Sequence, residues 1–105
     1  MNHVMVRYKV KADRVAENEV LIAKVFEQLR QGNPKGLRYA SFKLDDGLSF
    51  VHLVARDGSS EDNPLHGFSA FREFTAGVKD RCEEAPEVTH MNALGAFEYS
   101  ESAQE

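Results

Sequence analysis

Apolar and polar positions alternate most clearly between Arg38 and Arg56, on both sides of Asp46-Gly47. A period of two marks β-strands, whose successive side chains point to opposite faces. Asp-Gly between two such runs marks a hairpin, because both residues tolerate the positive φ of a type I′ turn. A two-residue turn pairs Asp45 with Leu48, Leu44 with Ser49 and Phe42 with Val51, which sorts the hairpin into two faces. Arg38, Ala40, Phe42, Leu44, Ser49, Val51, Leu53 and Ala55 share the first, mostly apolar face, which is expected beneath helices. Tyr39, Ser41, Lys43, Phe50, His52 and Val54 share the second, chemically mixed face, which is expected to look outward. A three-residue Asp45-Asp46-Gly47 turn with a bulge would shift the register by one. The two-residue turn is preferred because only it keeps an apolar face continuous.

The rest of the chain supplies two helices and two more strands. Val4 to Lys11 alternates Val4, Val6, Tyr8 and Val10 against Met5, Arg7, Lys9 and Lys11, a half-buried strand. Asp13 is the expected N-cap of a helix running to about Gln31, with Gly32 as its stop. Val15, Ile22, Phe26 and Leu29, joined by Leu21 and Val25, form its apolar stripe; Glu17, Asn18, Lys24, Glu27, Gln28 and Arg30 are assigned to the polar side. Asn33-Pro34-Lys35-Gly36 has turn chemistry, and residues 57–63 form a polar, acidic loop. A second helix opens at Asn63-Pro64, or at Ser69 if His66-Gly67 breaks its first turn. It carries Leu65, Phe68, Phe71, Phe74 (or Thr75), Val78 and Cys82 on one stripe and ends at Pro86. Val88 to Tyr99 is the expected last strand, with Gly95 at a bulge or close contact. Residues 1–99 read as a single domain and 100–105 as a flexible tail.

This order predicts an α+β, ferredoxin-like β-α-β-β-α-β fold. Both helices lie on one face of a four-stranded antiparallel sheet whose first and third strands are central. Tyr39, Phe50 and Val54 would then be exposed on the uncovered face, and a two-fold homodimer pairing sheet against sheet would cover them.

Composition narrows the function classes. The 105 residues carry 13 basic and 17 acidic side chains, a net charge of −4 with the basic residues scattered. That excludes the basic surface of a nucleic-acid or anionic-membrane binder. No apolar run approaches the roughly 20 residues of a membrane span, and no signal-peptide core opens the chain. The single Cys82 forms no internal disulfide, and no Cys/His metal spacing occurs. A cytoplasmic protein is expected.

The segments VRYKVKAD at 6–13, GLRYASFKLDDG at 36–47, FVHLVA at 50–55 and PLHGFSAFREFTAGVKDRC at 64–82 together resemble the dimeric α/β-barrel superfamily. Within it they look closest to the antibiotic-biosynthesis-monooxygenase-like domains. The resemblance spans nearly the whole chain and is specific for fold rather than activity. Such domains include cofactor-free oxygenases of quinols and anthrones, haem-degrading enzymes, isomerases and many small proteins with no known reaction. The haem-degrading members use an Asn/Trp/His set, whereas this chain has no Trp, and Phe74 or Glu73 stands about where their ligand His falls. The resemblance therefore implies a cofactor-independent monooxygenase acting on a small aromatic or quinol-type compound, with neither cofactor nor metal.

Within that reading His52 is the candidate base, a neutral imidazole suited to taking a phenolic proton. Arg7 (with Lys9) and Tyr39 would orient an oxyanion. Phe50 and Val54 would wall an apolar pocket, with Ser41 beside His52, His66 at a lid and Phe71 at the pocket edge. His90 and Asn92 are not assigned to a face, and Cys82 reads as a buried structural thiol. The alternative is a non-catalytic small-molecule-binding or accessory dimer, in which His52, Arg7 and Lys9 serve the subunit interface. A pocket of a few hundred Å³ reaching His52 discriminates in favour of the first reading.

Overall fold

In the computed structural model, which describes residues 2–57 and 63–98, the strands and α-helices follow one another along the chain. They are β1 (Asn2–Val10), α1 (Val15–Gly32), β2 (Leu37–Lys43), β3 (Ser49–Arg56), α2 (Ser69–Ala76), α3 (Val78–Arg81) and β4 (Cys82–Met91). The strands form one antiparallel sheet in the order β2-β3-β1-β4, so β1 and β3 are central as expected. The acidic loop at 58–62 and the tail from residue 99 lie outside the described residues.

Local chemistry accounts for the ends of α1. Asp13 lies in a 3-10 turn, Ala12–Arg14, and is not the cap; Arg14 precedes the helix and its guanidinium meets Glu17 at 2.6 and 3.1 Å. Asn33, rather than Gly32, takes the left-handed conformation (φ 44°) that ends the helix, and its N–H donates to Leu29 O at 2.7 Å. Gly32 serves clearance instead, since a Cβ there would stand 2.8 Å from the Phe68 ring.

The second helix is broken where His66-Gly67 suggested. A 3-10 turn, Pro64–Gly67, is capped by Asn63 Oδ1 accepting from Leu65 N–H, and α2 begins at Ser69. Its Ala70 N–H donates to Gln28 Oε1 of α1, a cap contributed from another helix. β4 starts at Cys82 and ends at Met91, earlier than the expected Val88–Tyr99, and Gly95 lies in no strand. Pro86 does not end a helix; it sits within β4, an edge strand. There the register with β1 shifts between Arg7↔Glu87 and Lys9↔Glu84. Proline has no N–H for the ladder and is tolerated at such a bulge.

The hairpin keeps its expected register, with Phe42 opposite Val51 and Leu44 N–H donating to Ser49 O at 2.8 Å. Its turn differs. Gly47 has φ 73° but Asp46 does not share the positive φ that a type I′ turn needs. The Gly47 N–H instead donates to Leu44 O, closing a four-residue loop over residues 45–48. Asp46 stabilises that loop by accepting from the Ser49 hydroxyl and from the Leu48 and Ser49 amides, which together pull its pKa down to about 2.

The largest correction concerns the faces. Alternation sorted the hairpin residues correctly, but the helices cover the mixed face and leave the apolar one outward. Val6 opposes His52 across β1 and β3, and Tyr8 opposes Phe50. The buried core joins Tyr8, Val10 and Phe50 to Val25 of α1, Ala70 and Phe74 of α2, and Val78 of α3. Lys43, on the same face, reaches Glu19 of α1 at 2.7 Å. Met5, Ala40, Phe42, Val51 and Leu53 point away from the helices, and Phe42 remains 47% exposed. The polar groups of the covered face are buried at low cost because they bond one another.

Candidate functional site

Two cross-strand rows beneath the helices floor the site. Tyr39, Val54, Val4 and His90 form one, and Ser41, His52, Val6 and Val88 the other. Above them lies a cavity of about 330 Å³. Leu65, Phe71, Phe74 and Val78 roof it, while Pro86, Val88 and His90 of β4 wall one side. Polar groups on a mostly apolar lining come from Tyr8, Tyr39, His52, Thr75 and His90, with Arg56 and Asn63 beside them.

His52 lies at the polar end of this cavity and is 3% exposed. Both ring nitrogens are engaged. Nδ1 faces Ser41 Oγ at 2.7 Å and the Tyr39 hydroxyl at 2.9 Å, and Nε2 faces the Tyr8 hydroxyl at 2.8 Å. The network continues away from the cavity. Asn18 Nδ2 donates to the Tyr8 hydroxyl at 3.0 Å, Arg81 Nε donates to Asn18 Oδ1 at 3.0 Å, and Arg81 Nη2 donates to Phe74 O at 2.9 Å. Arg81 and Asn18 are essentially fully buried. The guanidinium sits 5.1 Å from the centre of the Phe74 ring, and among the described residues no carboxylate lies within ion-pair distance of it. Aromatic stacking holds the same groups: Tyr8 and Tyr39 flank the His52 ring, and Phe26 stacks on Tyr39.

Burial governs the titration of these groups. Desolvation pushes the His52 imidazole from 6.5 down to about 4, so it is neutral at physiological pH. Desolvation pushes the Tyr39 phenol up to about 12, with a Ser41 hydrogen bond opposing. Tyr8 is raised further by its burial, against its Asn18 hydrogen bond and the nearby Arg81 charge.

The candidate residues are not all brought together. His52, Tyr39, Val54 and Phe71 line the cavity, and Ser41 reaches it through His52. Arg7 does not belong to the site. It opposes Val51 on the outer face of β1, exposed, and Lys9 shares that face. Phe50 is buried behind Tyr8, stacked with ring centres 5.6 Å apart, and does not line the cavity. His66 is exposed on the 3-10 turn, its ring tilted against Phe71, and also lies outside the cavity. His90, unassigned from sequence, lines the cavity, whereas Cys82 is half-buried at the start of β4.

Sequence reasoning missed Tyr8, Asn18 and Arg81. Asn18 was assigned to the polar side of α1, yet it falls between Val15 and Ile22 on the apolar stripe. Arg81 follows Phe74 and Val78 at helical spacing. A polar residue inside an apolar stripe was the available signal. Among the described residues no three His, Cys, Asp or Glu side chains converge as a metal site. No helix among them is long and apolar enough to cross a membrane.

No protein-family profile and no curated protein sequence matches the chain. Solved structures do. A Nitrosomonas europaea protein described as a candidate antibiotic biosynthesis monooxygenase superposes with a TM-score of 0.74 at 19% identity, covering 90% of this chain and 100% of that one. Rv0793 from Mycobacterium tuberculosis gives 0.72 at 17% identity, covering 90% and 96%. SnoaB, a cofactor-independent oxygenase from Streptomyces nogalater, gives 0.68 at 14% identity, covering 91% and 95%. At such identities the likeness is one of fold, and this chain has the α+β fold of the antibiotic biosynthesis monooxygenase domains.

Proposed function

We propose that the chain is a cofactor-independent monooxygenase of a small aromatic, quinol-type compound. One observation carries the reading: an apolar cavity of about 330 Å³ ends at the hydrogen-bonded Tyr39–His52 pair. That volume suits a ligand of two or three fused rings. The likeness of fold to a cofactor-independent oxygenase supports it.

The chemistry balances without an added reductant. A quinol and O₂ give a hydroxyquinone and water, the quinol losing the electrons that reduce oxygen. The quinol anion is the electron donor, so the protein's part is to hold that anion, exclude water and orient it toward O₂. His52 with a pKa near 4 is too weak a base to hold the substrate's proton at neutral pH. The proton leaves to solvent as the anion forms, and the Tyr39 hydroxyl stabilises the anionic oxygen. Tyr39 is then the group that touches substrate, and Val54 and Phe71 pack against its rings.

The outward apolar face, with Met5, Ala40, Phe42, Val51 and Leu53, is covered in this reading by a second copy of the chain.

Oxygen consumption by chelator-treated protein, assayed over a panel of hydroquinones and anthrones, tests the function. The expected outcome is uptake above background with at least one substrate, reduced at least tenfold in Tyr39→Phe. Uptake unchanged in Tyr39→Phe, or none across the panel, overturns it.

A further inference from the structure

The buried network has a direction, and its far end sets it. A guanidinium can only donate, so the Asn18 atom facing Arg81 Nε is the amide oxygen. Asn18 therefore turns its NH₂ to Tyr8, whose hydroxyl oxygen accepts. Tyr8 also lines the cavity, but its polar side-chain partners among the described residues are Asn18, which donates to it, and His52, so its own hydrogen is assigned to the ring nitrogen at 2.8 Å, His52 Nε2. An imidazole that accepts at Nε2 and is neutral carries its hydrogen on Nδ1. Nδ1 then donates toward Ser41 and Tyr39, and neither hydroxyl can donate back to it. Two hydroxyl hydrogens remain, and at most one is used between Ser41 and Tyr39. Both hydroxyls face Nδ1, but Ser41 does not line the cavity whereas Tyr39 does, so the hydrogen left for the cavity belongs to Tyr39.

We propose that Arg81, acting through Asn18 and Tyr8, holds His52 as its Nδ1–H tautomer. The Tyr39 hydroxyl hydrogen is thereby left for the cavity, which takes its ligand by an acceptor oxygen. The ligand class is an aromatic carbonyl, phenolate or enolate, and a neutral phenol that must donate its hydrogen is disfavoured. This rests on the proposed function for its site, but not on turnover. Arg81 and Asn18, which do not line the cavity, are positioning residues, whereas Tyr8 lines it and also passes their orientation to His52. The buried cation reinforces the arrangement, because every hydrogen bond from Arg81 to Tyr39 points its positive end toward the cavity.

Reversal of the network is the test. Protein labelled with ¹⁵N-histidine, in a background of His3→Gln, His66→Gln and His90→Gln, reports the tautomer of His52 alone by long-range ¹H–¹⁵N correlation. Nδ1–H is expected; Nε2–H, or a doubly protonated ring at pH 7, overturns the proposal without need of further variants. In Asn18→Asp the side chain accepts from both neighbours, so the Tyr8 hydrogen turns to it and His52 flips to Nε2–H. An unflipped, folded Asn18→Asp protein also overturns the proposal. The ligand half is read with 1-tetralone, whose only polar atom is an acceptor oxygen, against tetralin. Tetralone is expected to bind the parent more tightly than tetralin, with that preference falling about tenfold in Tyr39→Phe. A preference unchanged in Tyr39→Phe overturns this half. A confirmed tautomer without oxygen uptake removes the oxygenase reading and leaves this inference standing.

Discussion

The two faces of the sheet solve opposite problems. The inner face, under α1, α2 and α3, carries Tyr8 and His52, which are buried, and Ser41 and Tyr39, which are half-buried, despite their polarity. The outer face carries Met5, Ala40, Phe42, Val51 and Leu53 and looks outward despite its apolarity. Tyr8 and His52 show that polar side chains are buried here where their hydrogen bonds are satisfied. A polar group that finds its partners inside costs little to bury, whereas an exposed apolar strip has yet to meet what covers it. The cavity lies on the same inner face, and among the described residues its titratable lining groups, Tyr8, Tyr39, His52, Arg56 and His90, belong to it.

The largest effect is expected at the inner face. Phe74→Ala removes the ring that contacts Tyr8, His52 and the Arg81 guanidinium. It is expected to cost about 3–5 kcal/mol, read from urea midpoints, and a loss below about 1 kcal/mol would show that the inner face is not the stabilising one. Acid comes next. His52 binds its proton at about 4 when folded but at 6.5 as its ordinary value, so the unfolded chain holds more protons between those pH values. The contribution is complete above pH 6.5, is lost as pH falls toward 4, and levels off below, for a total of about 3 kcal/mol. Unfolding of the parent and of His52→Gln across that window should differ in slope, and parallel curves would place His52 in contact with solvent.

Smaller effects sharpen the outer face. Phe42→Glu is expected to change the stability of one protomer by less than about 1 kcal/mol, because the ring is 47% exposed. If the proposed sheet-to-sheet dimer forms, it should be abolished by this substitution in sedimentation equilibrium, and a dimer that survives would overturn this face as its contact. The smallest expected change is at Lys43–Glu19, an exposed pair at 2.7 Å that links the hairpin to α1. Lys43→Ala should cost about 0.2–1 kcal/mol at low salt and less at high salt. A larger, salt-independent loss would mean that the Lys43 stem packs against the helix.

Much of the fold was legible before any coordinates. Val4, Val6, Tyr8 and Val10 read as the buried side of β1, and the Phe42–Val51 register followed from alternation alone. His52, Tyr39, Val54 and Phe71 were picked out as site residues, and they do meet at one cavity. Arg7 was not separable from them, because its placement depended on which side of the hairpin the helices cover. Pro86 was read as a helix stop, since proline breaks helices far more often than it occupies an edge-strand bulge. Asn18 and Arg81 were legible in principle as polar residues on apolar stripes, but the partners that make them tolerable were not.

Strand and helix periods and turn chemistry were enough for β1, α1, the hairpin and which of their side chains share a face, though not for the bounds of β4. Only the tertiary structure decided which face is inside. The bonds that make the polar face buriable close over long stretches of chain, 44 residues between Tyr8 and His52 and 63 between Asn18 and Arg81. Each such group is costly to bury alone and cheap once its partner arrives, so its preference is a property of the folded network and of no single residue.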